Sequence, residues 1–290
     1  MAALDRRQVD SYRRDGFLCP LAIFSPDEAA RHRAALEREE AEYGEDRLPR
    51  PIDQYHRVNA HLVSEAARTA ALDPRVLDAV ESMLGPDLML WSCEYFIKEA
   101  HSDKIVSWHQ DLTYWGMGET DHEVTAWLAL SPATAKSGCM RFVPGSHRRA
   151  IVDHRDTFAD DNLLSRGQEI AVEVDEAEAV AAALQPGQMS LHHGRMFHAS
   201  GPNLTGDRRI GFVMRFIRPD TPATGKRRDY ATLVRGCDRD GNRINMVPPA
   251  ASFTDAGLAM YEEVLAAQPA TLADGAAEQV SFYETPLRAG

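Results

Sequence analysis

The sequence contains only four cysteines, Cys19, Cys93, Cys139 and Cys237, and no two of them form a C-x-x-C pair. This scarcity excludes a zinc knuckle and a disulfide scaffold as sources of stability. We expect buried, reduced thiols instead.

Long apolar runs and basic stripes are also missing. Nowhere do about 18 apolar residues follow one another, and the start MAALDRRQVDSYRRDG has no apolar segment typical of export. The formal net charge is -12, and no stretch rich in lysine and arginine with interleaved aromatic residues offsets it. We therefore predict a cytoplasmic protein with no membrane and no nucleic-acid partner, and the oligomeric state stays open.

The first third of the chain has the pattern of helices. Ser25 as N-cap, Pro26 in the first turn and Glu28 at the third position form a capping box that predicts a helix over 26–43. A second helix is predicted from Asp73 to Gly85, and a last one over the segment TDAGLAMYEEVLAAQ, residues 254–268. We expect residues 1–86 to form a helical support.

After Pro86 the pattern changes to strands. In DLMLWSCEYFIKE one alternating set, from Met89 to Ile97, is wholly apolar or thiol, whereas the other set carries Ser92, Glu94 and Lys98. Further strand-like runs cover 124–130, 140–143, 189–193 and 209–217. Because no βαβ rhythm appears, we predict a mainly β protein, an antiparallel jelly roll or sandwich with helices against one outer face.

We expect one domain over 1–290. Residues 87–218 form its jelly-roll core, and residues 150–186 are an excursion between strands. Residues 219–290 form a C-terminal loop and helix, with 219–251 as a long ordered loop.

The segment SWHQDLTYWG raises the question of a metal site. Three H-x-D pairs occur in the chain, where chance accounts for about one. Only His109 and Asp111 lie among aromatic and apolar residues, where an unpaired carboxylate is costly. On an extended segment residues i and i+2 point the same way, so both can bind one ion. A surface pair or a structural hydrogen bond is the alternative interpretation.

A third ligand is available in the segment SLHHGRMFHASGPN. His198 precedes a turn, while His192 and His193 are neighbours that face opposite ways on a regular strand, so at most one of those two can approach the same ion. His198 is preferred over His193 from the spacing, and both stay open.

In RIGFVMRFI, Arg209 alternates to the side opposite Ile210, Phe212, Met214 and Phe216, which predicts that it faces a cavity and binds a carboxylate. A solvated pair with Arg208 is the alternative.

These residues resemble the phytanoyl-CoA dioxygenase family of Fe(II)- and 2-oxoglutarate-dependent oxygenases. The resemblance covers most of the chain and rests on YRRDGF at 12–17, WHQD at 108–111, VPGSH at 143–147, and HASGPN at 198–203 followed by Arg209. It implies a double-stranded β-helix, the jelly-roll core of cupin-like proteins, packed against the N-terminal helices.

The resemblance also implies roles for individual residues. The iron ligands are His109, Asp111 and His198, which decides against His193. Arg209 and Ser200 hold the distal carboxylate of the co-substrate 2-oxoglutarate. Trp127 matches a tryptophan placed against the co-substrate, with a core aromatic as the alternative, and Lys98 is a candidate for the same site, with a lysine that reaches solvent at a strand end as its alternative.

The implied activity is hydroxylation of a C–H bond in a small-molecule substrate. Fe(II) is the implied metal cofactor, 2-oxoglutarate and O2 are consumed, and succinate and CO2 are released. A carboxylate at Asp111 favours hydroxylation, because halogenating relatives have a small residue there.

Trp108, Tyr114 and Trp115 are candidate cavity walls. The loop 225–242, with Arg227, Arg228 and Arg235, is a candidate lid or an ordinary solvated loop. The alternatives are a cupin-like metal-dependent isomerase or hydrolase without oxygen chemistry and a jelly-roll binding module without activity. The substrate is not revealed.

Overall fold

The fold was analysed in a computed structural model, which describes residues 3–44, 47–157, 162–164, 169–224 and 229–268. Two mainly antiparallel sheets form its centre, and helices cover one face of the larger sheet. Within this part of the chain no helix is long and apolar enough to cross a membrane.

The major sheet has seven strands. Their spatial order is β1 (Phe17–Ala22), β9 (Gln188–His192), β4 (Glu123–Ala129), β11 (Arg209–Ile217), β2 (Leu88–Lys98), β12 (Asp229–Arg235) and β13 (Arg243–Asn245), numbered along the chain.

The minor sheet has four strands and a short hairpin beside it. Its order is β3 (Val106–His109), β10 (His198–Ser200), β5 (Met140–Phe142) and β8 (Val180–Ala182), and the hairpin joins β6 (His154–Arg155) to β7 (Glu169–Ile170). Side chains of both sheets line one cavity, and the rings of Phe17 and Phe142 stack across the gap at 4.8 Å between centroids. The mainly β jelly-roll prediction is confirmed.

Six α-helices are described. They are α1 (Arg6–Asp15), α2 (Pro26–Tyr43), α3 (Ile52–Arg57), α4 (Glu65–Ala71), α5 (Pro74–Leu84) and α6 (Asp255–Ala267).

The predicted helices 26–43, 73–85 and 254–268 are confirmed by α2, α5 and α6. The capping box of α2 is formed, since the Glu28 amide donates to Ser25 Oγ at 3.2 Å and the Ser25 amide donates to Glu28 Oε2 at 2.8 Å. Asp73 caps α5, which ends at Gly85.

The outer face of β11 meets the helical layer as predicted. Ile210, Phe212, Met214 and Phe216 belong to one buried core with Val76 and Val80 of α5. Burial of such side chains stabilises the fold by about 1.5–3 kcal/mol each. Arg209, Val213 and Arg215 face the opposite way and line the cavity between the sheets.

Three segments differ from the prediction. Residues 150–186 are not only an excursion between strands, because β8 pairs with β5 and β6 pairs with β7. The N-terminal third is not wholly helical, because β1 pairs with β9 at the edge of the major sheet. Residues 219–251 are not a loop throughout, because β12 pairs antiparallel with β2 and parallel with β13. The strand pattern of YATLV is the signal that the charged and glycine-rich surroundings concealed.

The predicted apolar face of β2 is also wrong in part. The pairing register with β11 shifts between Ser92 and Leu90, which is a β-bulge at Trp91. Met89 and Trp91 therefore pack with Trp115 and Met117, whereas Cys93 and Tyr95 pack against the helices. The bulge places Glu94 and Lys98 beside the cavity side of β11.

Candidate metal and co-substrate site

The pairing of β3 with β10 brings two distant histidines side by side. His109 and His198 are register partners in the antiparallel ladder, and their ring centroids lie 4.0 Å apart. Asp111 follows across the extended residue Gln110 and begins a 3-10 turn. Ligand atoms of these three side chains all lie within 4.8 Å of one another.

The two imidazoles are oriented by their own backbone. His109 Nδ1 lies 2.9 Å from the Ser107 carbonyl oxygen, and His198 Nδ1 lies 3.0 Å from that of Met196. A carbonyl accepts only, so each Nδ1 carries the proton and each Nε2 presents a lone pair. This support is typical of metal-binding histidines.

Asp111 completes an arrangement that calls for a cation. Its Oδ1 lies 3.3 Å from His109 Nε2 and 3.8 Å from His198 Nε2. Burial, with the His109 ring nearby, holds the pKa of His198 well below its usual range, so this ring stays neutral. The lone pair of His198 therefore faces a carboxylate. An octahedral ion with bonds of about 2.1 Å places neighbouring donors about 3 Å apart, a little closer than the 3.3 and 3.8 Å of Asp111 Oδ1 from the two imidazoles.

The other carboxylate oxygen of Asp111 is held from behind. Thr125 Oγ1 donates to Oδ2 at 3.4 Å, and His192 Nε2 lies 3.5 Å from the same oxygen without a hydrogen bond to any described residue. Thr125 is also 2.8 Å from Glu123 Oε1, and burial, with the Asp111 charge nearby, raises the pKa of Glu123 to about 8. The Thr125 hydroxyl donates to Glu123 and has a longer contact with Asp111. Oδ1 is the oxygen that faces His109 and His198.

Gln110 braces this turn, although its polarity alone gave no hint of a role. Its side chain is fully buried and donates to the Ala150 and Arg195 carbonyls at 3.3 and 3.0 Å, while it accepts from the Val152 amide at 2.9 Å. His109 and Asp111 are therefore fixed on either side of a rigid residue.

The expected opposition of His192 and His193 is observed. His193 turns outward, where its Nε2 lies 3.0 Å from the Asp121 carboxylate, and it is not part of the site. His192 turns inward to Asp111. Sequence reasoning missed His192 because it treated this pair only as rivals for the third ligand.

A cationic end of the cavity lies beside the three metal-binding candidates. Arg209 is 1 % exposed, and its Nε and Nη2 have no hydrogen-bond partner among the described residues. Burial lowers the pKa of Arg209 to about 10, so it remains charged at neutral pH. A buried guanidinium without an acceptor is costly, and a carboxylate matches its geometry. The alternative of a solvated pair is wrong, because Arg208 instead binds Glu40 at the surface.

Lys98 and Ser200 lie together at this end. Lys98 is 1 % exposed, and its Nζ donates to Ser200 Oγ at 2.7 Å, to the Ser200 carbonyl at 3.3 Å and to the Gly201 carbonyl at 2.5 Å. The alternative of a lysine that reaches solvent is therefore wrong. Lys98 is also the register partner of Arg209, so two buried basic side chains are neighbours.

Trp127 forms a wall of the cavity beside Arg209. The Arg209 guanidinium carbon lies 5.3 Å from its ring centroid, within the range of a cation–π contact. Trp127 is buried in the apolar core between the sheets as well, as its alternative interpretation expects, and its place against the co-substrate stays a prediction. Its ring lies over Gly211, where a Cβ atom would overlap it.

Substitution of Gly211 is therefore expected to displace Trp127. Gly211→Ala should lower the free energy of unfolding by about 1–3 kcal/mol through overpacking, and it should weaken binding of a carboxylate at Arg209. Thermal unfolding and 2-oxoglutarate titration check this. Gly206→Ala is the control, because a Cβ there has its nearest neighbour at an ordinary 3.7 Å. Equal behaviour of the two variants would contradict the wall assigned to Trp127.

The other expected walls are only partly found. Trp115 is buried and stacks against Arg215 of the cavity at 5.0 Å. Trp108 instead donates from Nε1 to the exposed Glu176 at 3.0 Å and packs outside the cavity. The side chain of Tyr114 lies outside what the structure describes.

The candidate lid is not supported by its described part. Residues 229–235 belong to the major sheet, and Arg235 binds Asp78 at 2.9 Å and Glu81 at 2.5 Å on α5. Arg227 and Arg228 lie outside the described residues.

A jelly roll that gathers two histidines and one carboxylate, with positions left open, is the architecture of mononuclear non-haem metal enzymes. The chain belongs to the phytanoyl-CoA dioxygenase family, whose sequence model matches residues 12–211. The resemblance drawn from the motifs is thereby confirmed.

Individual relatives agree with this assignment. The solved non-heme monooxygenase ThoJ, in its apo form, is 34% identical with a TM-score of 0.81, covering 92% of this chain and 98% of that one. A ThoJ-Ni complex is 32% identical with a TM-score of 0.73, covering 89% and 96%. A Stutzerimonas stutzeri protein named "Probable alpha-ketoglutarate-dependent hypophosphite dioxygenase" is 28% identical over 182 residues, 61% of this chain and 62% of the relative.

The curated relatives are matched over part of their length only. An ectoine dioxygenase of Bordetella parapertussis is 28% identical over 158 residues, which is 51% of either chain. The matched part of this chain thus spans about half to three fifths of these two relatives. Alpha-ketoglutarate, named in the first of them, is 2-oxoglutarate.

Proposed function

We propose that the protein is an Fe(II)- and 2-oxoglutarate-dependent dioxygenase that hydroxylates a C–H bond of a small molecule and releases succinate and CO2. His109, Asp111 and His198 hold the iron, and Arg209 holds the distal carboxylate of 2-oxoglutarate. The observation that carries the proposal is the unpaired buried guanidinium of Arg209 in the same cavity as two bare imidazole nitrogens and a carboxylate.

Iron, when bound, supplies the reactivity with O2, and three protein ligands leave three positions for a chelating co-substrate and oxygen. The protein orients the co-substrate between this triad and Arg209. Ser200 keeps its hydroxyl proton available there, because its oxygen accepts from Lys98. Trp127 and Val106 exclude water from the space between.

Lys98 adds a charge that depends on the ligand. Burial and the neighbouring Arg209 charge lower the pKa of Lys98 from 10.5 to about 6, so it is largely neutral at pH 7.5 without ligand. A bound carboxylate favours the charged form and raises this pKa again. Lys98 therefore takes up a proton as 2-oxoglutarate binds.

The expected result is a pH-dependent affinity. Above pH 6 the ligand-free site has lost the proton that the complex keeps, so 2-oxoglutarate binding weakens as pH rises, by up to about tenfold per unit. Calorimetry in buffers of different ionisation enthalpy measures the proton uptake. Lys98→Met should bind more weakly and without this uptake, whereas unchanged uptake in the variant would rule out Lys98 as its source.

The activity itself is tested in two steps. Anaerobic addition of Fe(II) and 2-oxoglutarate is expected to give the visible charge-transfer band of a chelated iron complex. Oxygen is then admitted with a substrate library, and succinate formation that depends on substrate is measured. Metal binding without any band would favour an isomerase or hydrolase, and absence of succinate with every compound would favour a binding module.

A further inference from the structure

A second arginine faces the cavity from the same strand as Arg209. Arg215 lies on the same face of β11, with its Cα about 20 Å from that of Arg209 at the usual rise of a strand. Its Nη2 donates to Glu94 Oε1 at 2.6 Å and its Nη1 to Ser92 Oγ at 3.2 Å. Its Nε is buried and has no hydrogen-bond partner among the described residues.

The candidate metal site lies between the two arginines. On the neighbouring strand β4, Thr125 is the register partner of Arg215 and contacts Asp111, whereas Trp127 covers Arg209. Arg215 instead packs on Trp115. A five-carbon diacid spans only about 6 Å with C–C bonds near 1.5 Å, so a co-substrate held by Arg209 ends at the metal. Arg215 is left for a different ligand.

The carboxylate of Glu94 does not compensate the charge of Arg215 alone. Arg57 Nε lies 3.7 Å from Glu94 Oε2, so a single carboxylate faces two guanidinium groups. Glu94 is only 13 % exposed, and with both oxygens next to cations it is a poor site for a positively charged ligand. Glu94 is therefore shared between Arg215 and Arg57.

The charges of the loaded site point the same way. The carboxylates of Asp111 and Glu94 offset the guanidinium groups of Arg57 and Arg215, and the two charges of Fe(II) offset those of 2-oxoglutarate. Arg209 and Lys98, which is protonated on 2-oxoglutarate binding, then remain as positive charges without counterparts in a buried cavity. An anionic group on the remaining ligand would offset part of this charge, which a low-dielectric interior favours.

We propose that Arg215 binds an anionic group, a carboxylate or a phosphonate, on the primary substrate, at the side of the metal centre opposite Arg209. This inference rests on the proposed function. It narrows the substrate class to acids whose oxidisable carbon lies within a few bonds of the anionic group, between Arg215 and the metal ligands.

The test uses small probes on the whole protein. Fe(II) and saturating 2-oxoglutarate are added anaerobically, and the charge-transfer spectrum is titrated with propionate, methylphosphonate, propionamide or propylamine. We expect a saturable spectral change with one of the two anions and none with the neutral amide or the amine. Arg215→Gln should weaken this response by about 10- to 100-fold and leave the band itself unchanged, because it removes a charge-assisted hydrogen bond.

Two further variants keep the result interpretable. Arg218→Gln is the matched control, since Arg218 follows the same strand and binds Asp220 at the surface; it should respond like the native protein. If Arg215→Gln does not fold, the double variant Arg215→Gln/Glu94→Gln removes the charge pair together and should also lose the response.

Each remaining outcome contradicts a defined part of the argument. Failure of the native protein to form the band would reject the proposed function. A normal band with no response to any probe, or an equal response to propionamide, would reject the anion site alone. A response that survives in the Arg215 variants would locate the anion at the metal, and a response to propylamine lost in Glu94→Gln would make the ligand a cation.

Discussion

Replacing Asp111 with alanine is expected to abolish succinate formation and to weaken Fe(II) binding by more than about 100-fold, since loss of an outer-shell partner alone costs about 10- to 100-fold. The substitution removes the only carboxylate among the three converging side chains. It also leaves two bare Nε2 atoms with no negative charge to balance a divalent ion. Fe(II) binding is measured by anaerobic titration and succinate by chromatography.

The fold should survive this change, which makes the result informative. Asp111→Ala removes the 3.4 Å contact with Thr125, but the turn stays fixed by the hydrogen bonds of the buried Gln110 side chain. Asp121→Ala is the control, because this carboxylate is 75% exposed and binds His193 and Arg195 instead. Native succinate formation in the Asp111 variant would mean that His109, Asp111 and His198 do not hold the metal of the proposed enzyme.

Much of the candidate site was predictable because its residues lie in short, spaced patterns. The H-x-D spacing works on any extended segment, and the alternation of β11 alone assigns Arg209 to the cavity side. The partnership of His109 with His198 was not accessible in this way. It depends on the register of β3 against β10, which is set by pairing across the whole sheet.

The residues behind the ligands show a different limit. Glu123 and Thr125 open a strand whose pattern predicts only burial, and His192 has the same type as its outward neighbour. Their roles appear only when β4 and β9 pair and present them to Asp111. A polar side chain in a strand that is predicted to be buried is a sequence signal for such a role, because it must find a hydrogen-bond partner.

The errors in the fold have local causes. Strand β12 was predicted as part of a loop because charged and glycine-rich residues flank a short β-branched run. Its pairing with β2 stabilises the strand although its sequence pattern is weak. The bulge at Trp91 reverses the alternation within β2. A one-residue insertion of this kind changes which residues share a face, and composition does not reveal it.

Arg209→Ala is expected to raise the Kd for 2-oxoglutarate by about 30- to 4000-fold, because truncating one partner of a buried charge pair costs about 2–5 kcal/mol. Fe(II) binding should change little, because Arg209 is not among the three converging side chains. Arg209→Lys should recover only part of the affinity, since an ammonium cannot form the two parallel hydrogen bonds of a guanidinium. Anaerobic titration of the charge-transfer band measures each value.

The neighbouring arginine separates a specific role from the loss of one positive charge. Arg208 binds Glu40 at 2.8 Å and Glu99 at 3.1 Å, with its side chain 24% exposed. Arg208→Ala should therefore cost at most about 1 kcal/mol of stability and leave the Kd for 2-oxoglutarate unchanged. Equal Kd values for the Arg209 and Arg208 variants would mean that the co-substrate carboxylate lies elsewhere, and the unpaired guanidinium of Arg209 would then need another ligand.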